Sequence, residues 1–133
     1  MMLVGGCFCG AVRYAAGPAL YPPTYCHCTS CRRASGSHAV AWYTIARADL
    51  HYLGAALVER ESSIGVFRGY CAQCYSPLTY RCLARPGEMD LTIASLDQPD
   101  LMVPVDHIHM ADALDWDRPM DGLPQYQRTR LSD

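Results

Sequence analysis

A small, mainly β fold of short antiparallel strands with little helix, stapled by zinc, is what this sequence predicts. Three observations carry the expectation. Short runs rich in Val, Ile, Tyr and Thr alternate with turn signals supplied by ten glycines and nine prolines, the pattern of many short strands. No long amphipathic helical period is present. Seven of the eight cysteines fall into three close groups, which suits chelation of a metal better than a disulfide framework.

The elements follow in order. "GAVRYAA" (10–16) alternates like a half-buried strand, and "GPALYPP" (17–23) breaks it. "RRASGS" (32–37) has room for one helical turn before Gly36 ends it. "AVAWYTIA" (39–46) reads as a buried strand, and "ALVERESS" (56–63) and "IGVFRGY" (64–70) continue the sheet. "SPLTYRCLA" (76–84) and "EMDLTIASL" (88–96) read as a hairpin turning at "RPG" (85–87). The last third, with Pro99, Pro104, Pro119 and Pro124, reads as extended coil wrapped around the rest. A chain of 133 residues that is half hydrophobic suits a single domain, 1–133, with one real core.

Charge and hydropathy narrow the partners. Net charge is −2, and all eleven basic residues are arginine. No basic run exceeds Arg32-Arg33, so no nucleic acid partner is expected. The longest strongly apolar stretch, 39–46, includes Thr44 and is far too short to span a bilayer, so no membrane is expected either. "MMLVGGCFCG" lacks the charged and apolar regions of a secretory signal. A cytoplasmic, reducing location is the expected default, and there a cysteine cluster binds metal or performs chemistry.

Cys7 and Cys9 read C-x-C, Cys26, Cys28 and Cys31 read C-x-C-x-x-C, and Cys71 and Cys74 read C-x-x-C. Close spacing pre-arranges neighbouring thiolates around one ion at little cost in loop closure. Joining the outer groups gives a complete four-thiolate zinc site on Cys7, Cys9, Cys71 and Cys74. It would tie the start of the chain to its middle, where binding energy is folding energy. The middle group then keeps three thiols. In the alternative partition the middle site closes with Cys82, His27, His38, His107 or His109. His27 lies between two candidate ligands and is expected to point away. Cys82 reads better as a small core residue. "HIH" puts His107 and His109 on one strand face, although packed or hydrogen-bonded histidines are the plainer reading. A three-thiolate zinc carries a net charge of about −1 and is a weak Lewis acid, but it binds a soft fourth ligand well. An incoming thiol bound there becomes a nucleophile at neutral pH.

Several motifs together resemble a known family. "GGCFCGAVRY" (5–14), "CHCTSCRRASGS" (26–37), "FRGYCAQC" (67–74), "IASLD" (93–97) and, later, "VPVDHIH" (103–109), Trp116 and "DGLP" (121–124) resemble the glutathione-dependent formaldehyde-activating enzymes, the CENP-V/GFA domain. The resemblance covers nearly the whole chain in order. It implies a mostly β, Mss4-like fold with two zincs. One would be structural, on Cys7, Cys9, Cys71 and Cys74. The other would be catalytic, on Cys26, Cys28 and Cys31, with a fourth position open to glutathione. It also implies a carbon–sulfur lyase that joins glutathione, as co-substrate, and formaldehyde into S-(hydroxymethyl)glutathione. The family usually has Gly after the C-x-x-C. Here Tyr75 stands there, and since Tyr takes φ > 0 only with strain, the knuckle is expected to turn differently.

On this reading the partners are a small-molecule thiol and an aldehyde. Arg32 and Arg33 follow the catalytic cluster and are candidates to hold glutathione carboxylates, against the plainer reading of solvated surface arginines. Ser35, Ser37 and His38 are candidates for the mouth of the site. The alternative function is a non-catalytic zinc module that binds a thiol metabolite or a protein. A thiol redox role for Cys71 and Cys74 would need a helix start, and "CAQCYSPLTY" (71–80) reads as a turn into a strand.

Overall fold

The computed structural model describes residues 2–130. Among them, ten strands and one α-helix follow in the order β1 (Leu3–Gly6), β2 (Arg13–Ala16), β3 (Thr24–Cys26), α1 (Thr29–Ser35), β4 (Val40–Ala46), β5 (Leu50–Tyr52), β6 (Val58–Ser63), β7 (Val66–Tyr70), β8 (Pro77–Cys82), β9 (Glu88–Thr92) and β10 (His107–Ile108). The fold is therefore mostly β, as the sequence predicts. A three-stranded antiparallel sheet runs β1-β2-β5, and a seven-stranded sheet runs β10-β3-β4-β9-β8-β7-β6. The larger sheet is mixed, because β10 pairs with β3 in parallel. This corrects the expectation of antiparallel strands alone. The long connection from β3 to β10 gives the chain room to return in the same direction.

β4 lies inside the larger sheet, and its side chains alternate between two apolar clusters. Tyr43 and Ile45 join Tyr14, Ala16, Met89, Leu91, Ile93 and Leu96 in a core drawn from both sheets. Ile45 and Leu91 are fully buried, each worth about 1.5–3 kcal/mol in transfer free energy. Val40 and Trp42 face the other way and pack with Cys26 and Cys31, with Tyr80 and Ile108 against them. Burial on both faces makes β4 the wall between the main core and the cysteine region.

Local chemistry moves several boundaries. The helix begins at Thr29 rather than Arg32, because Cys28 is its N-cap and the Cys28 sulfur accepts from the Cys31 N–H at 3.2 Å. Gly36 closes it at φ 72°, as the sequence suggests. β2 starts at Arg13 because Gly10, at φ 83°, still belongs to the preceding turn. β1, β3 and β5 are three or four residues long, too short for a periodic signal. The last third is not coil alone. Its 3-10 turns and β10 make a strap, in which the Tyr126 N–H donates to His107 C=O and the His107 N–H to Pro124 C=O. Arg130 pins the strap's end to the Asp106 carboxylate and to Pro22 C=O.

Candidate metal centres and an adjoining cleft

The sulfurs of Cys7, Cys9, Cys71 and Cys74 all lie within 4.8 Å of one another. Two turns supply them, one between β1 and β2 and one between β7 and β8. Sequence neighbours turn N–H groups onto the sulfurs: Val12 onto Cys7 at 3.3 Å, and Gln73 and Cys74 onto Cys71 at 3.3 and 3.4 Å. Such donors favour thiolates. A hydrogen bond from Ser76 draws the Cys74 thiol down to about 5.

Tyr75 follows this knuckle at φ 65°, with its N–H bonded to Cys71 C=O at 2.9 Å. The expectation of a different turn is thus corrected. The chain makes the left-handed turn with a tyrosine in it, and the strain stays local because the ring is mostly exposed. The residues from Cys71 to Ser76 are a turn leading into β8, not the helix start that a redox C-x-x-C would need.

Cys26, Cys28 and Cys31 form the second group, their sulfurs also within 4.8 Å of one another. Cys26 ends β3, Cys28 caps α1, and Cys31 sits in its first turn. Hydrogen bonds from Cys26 and Cys31 draw the Cys28 thiol down to about 2. Cys26 is pushed up by its bonds to Cys28 and Cys31 and by burial. The trio thus concentrates negative charge on one sulfur and resists further ionisation, a cost that a bound cation removes. Arg68 adds a cation from β7, its Nη2 lying 3.8 Å from Cys31 Sγ and its guanidinium 5.0 Å from the centre of the Tyr80 ring. Sequence reading missed Arg68. Only the register of β7 against β8, which sets Arg68 opposite Tyr80, brings it here.

No fourth ligand joins this group among the described residues. His27 points away, as expected, and its buried Nε2 lies 2.9 Å from His107 Nδ1. The other nitrogen of His107 lies 2.8 Å from an Asp121 carboxylate oxygen. The pairing of His107 with His109 on one strand face is corrected: β10 ends at Ile108, and His109 turns off it at φ 56°. His109 still acts on Cys28 electrostatically. His38 bonds Asp117 at 2.6 Å beside Trp116. Cys82 is half-buried in β8 and belongs to neither group.

A cleft of about 400 Å³ adjoins the trio and shares Arg68, Val40 and Trp42 with its surroundings. Ser35 lines it, whereas Ser37, His38, Arg32 and Arg33 do not. Arg32 is braced against Thr29 Oγ1 and Asp112 C=O, and Arg33 is exposed. No helix among the described residues is long and apolar enough to cross a membrane.

A mostly β protein that gathers seven cysteines into two groups able to chelate metal is the class that the fold and the site define. Residues 2–112 match the family described as glutathione-dependent formaldehyde-activating enzyme, and the chain belongs to that family. A Halomonas elongata protein named "Putative glutathione-dependent formaldehyde-activating enzyme" is 33% identical over 119 residues, which span 83% of this chain and 74% of that one. The crystal structure of a Rhodobacter sphaeroides protein superposes with a TM-score of 0.60, covering 93% of this chain and 99% of that one. At 20% identity it supports the fold alone.

Proposed function

We propose that the chain is a zinc-dependent carbon–sulfur lyase that adds glutathione, or a similar thiol, to an aldehyde such as formaldehyde. The product is then S-(hydroxymethyl)glutathione. The carrying observation is the three-sulfur group, in a chain of this family, with no fourth ligand beside it among the described residues. Its donors fit zinc: all are sulfur, they converge, and they resist ionising together without a cation. Zinc held by Cys26, Cys28 and Cys31 would supply a soft-ligand position at which an incoming thiol is deprotonated near neutral pH.

The reaction makes one carbon–sulfur bond. Thiolate sulfur adds to the carbonyl carbon, and the carbonyl oxygen takes up a proton. Arg68 favours the charged form of Cys31 beside it. Val40 and Trp42 close the inner side of the group against water. Arg33, exposed on α1, is free to meet a glutathione carboxylate, whereas Arg32 would first have to leave Thr29 and Asp112. In the same reading Cys7, Cys9, Cys71 and Cys74 hold a structural zinc that staples a Mss4-like fold, the domain spans 1–133, and the enzyme works in the cytoplasm.

The test is adduct formation from glutathione and formaldehyde, followed by exchange NMR on zinc-loaded protein. Cys28→Ser, shown folded by circular dichroism, is expected to fall to the uncatalysed rate. Full activity in that variant overturns the zinc-centred reading.

A further inference from the structure

Arg60 of β6 and Arg68 of β7 are direct cross-strand partners. Residues so paired project from the same face of the sheet and lie within reach of each other. Two guanidinium cations in that position repel, and like charges directly opposite destabilise a sheet. Neither has a carboxylate partner among the described residues. The acids of the same edge strand are engaged elsewhere: Glu59 holds Arg81 at 2.7 Å, and Glu61 accepts from the Gly65 N–H at 3.0 Å. Yet Arg60 and Arg68 both line the cleft beside the three-sulfur group.

The inner wall of the cleft supplies a second, independent observation. Trp42 and Thr92 are also cross-strand partners, both line the cleft, and each is only 8% exposed. The Trp42 indole N–H and the Thr92 hydroxyl are buried without a hydrogen-bond partner among the described residues. Leaving such a group unpaired costs about 1–3 kcal/mol. One cleft thus combines two cations lacking a carboxylate, one of them set against the Cys31 sulfur, with two buried donors lacking an acceptor among the described residues. A carboxylate answers both.

We propose that Arg60 and Arg68 clamp a carboxylate of the thiol substrate, with Trp42 and Thr92 as the polar inner wall of that subsite. The thiol character of the ligand rests on the function proposed above; the anion subsite does not. Arg68 reaches Cys31 sulfur and also lines the cleft, so a carboxylate held there lies next to the sulfur centre. The substrate class is therefore a carboxylate-bearing thiol rather than a neutral one, and specificity comes from the edge of the sheet rather than from Arg32 and Arg33 on the helix.

S-Methylglutathione, which keeps both carboxylates and cannot ligate as a thiolate, is the probe. Calorimetric titration of the zinc-loaded full chain is expected to show binding that weakens with salt. R60Q is expected to weaken it roughly tenfold or more, as for loss of a charge-assisted hydrogen bond. The diethyl ester of the probe is expected to bind weakly and equally to wild type and R60Q. Arg60 is exposed on an edge strand, so the variant folds. No binding by wild type, equal binding of the probe by R60Q, or equal affinity for probe and ester would each overturn the subsite. Absence of turnover with every thiol, alongside the expected titration, would overturn the catalytic reading and leave the subsite standing.

Discussion

His27 Nε2 and His107 Nδ1 stand 2.9 Å apart with both rings buried, and they join the loop between two candidate metal ligands to the C-terminal strap. Tyr25 stacks on His107 at 4.7 Å, and Asp121 bonds its far nitrogen. His107→Phe keeps the stacking but leaves both His27 nitrogens unpaired, because His27 Nδ1 already lacks a partner among the described residues. The expected loss is about 1–3 kcal/mol, read as a lower urea midpoint of zinc-loaded protein. Weaker zinc retention by Cys26, Cys28 and Cys31 should accompany it. An unchanged midpoint would show that the histidine pair is incidental to the strap.

Metal removal should separate the two sulfur groups. A metal held by Cys7, Cys9, Cys71 and Cys74 would cross-link turns far apart in the chain, so its removal would release a long loop. Cys71→Ser is expected to lower the melting temperature far more than Cys28→Ser. In cobalt-substituted protein, glutathione should perturb one of two thiolate-to-metal absorption signatures. Two signatures that both ignore glutathione would favour a non-catalytic module.

Tyr75 occupies a left-handed conformation that costs a non-glycine residue about 1–2 kcal/mol. Tyr75→Gly removes the strain but adds chain entropy to the unfolded state. The expected net effect is a gain of up to about 1 kcal/mol in chemical denaturation. A loss would mean that the tyrosine ring's contacts along the cleft outweigh the strain.

Gly69 precedes the irregularity in the pairing of β7 with β8. A Cβ there would stand 2.1 Å from Thr79 Oγ1 and 2.7 Å from Leu57 Cδ1. Thr79 is buried and cannot retreat. Gly69→Ala should cost about 1–3 kcal/mol in denaturation and, by shifting Arg68 next to it, weaken S-methylglutathione binding.

The Arg13 guanidinium holds the Asp97 carboxyl below its usual range through two bonds, at 2.9 and 2.5 Å. With a depressed folded value, the pair's stabilisation is present above pH about 4, near the carboxylate's unfolded value, and is lost as pH falls through the folded one. The stability difference between wild type and Asp97→Asn should therefore shrink from pH 5 towards pH 2. Comparing the two proteins cancels the acid sensitivity of the thiolates. A difference constant across that range would rule the pair out.

The cysteine groups were legible in the sequence because metal chemistry imposes short spacings, and both partitioned sets meet in space. The β4 run, the β6 and β7 strands and the β8–β9 hairpin were legible from alternation and turn residues. Arg60, Arg68, Trp42 and Thr92 were not, because their meeting depends on register across β6, β7, β4 and β9, which no local pattern encodes. The early start of α1 was hidden for a different reason. Cysteine is not an ordinary cap, and only the three-dimensional sulfur position lets Cys28 act as one.

The parallel pairing of β10 with β3 has a consequence for biosynthesis. Every ligand of the four-cysteine group has been translated by residue 74, whereas the backing of the three-cysteine group needs His107 and Asp121. A chain growing from the ribosome at about 5–20 residues per second can bring the four-cysteine group together several seconds before the three-cysteine group acquires its support. The three-cysteine group thus gains its buried backing only after all four cysteines of the other group are in place.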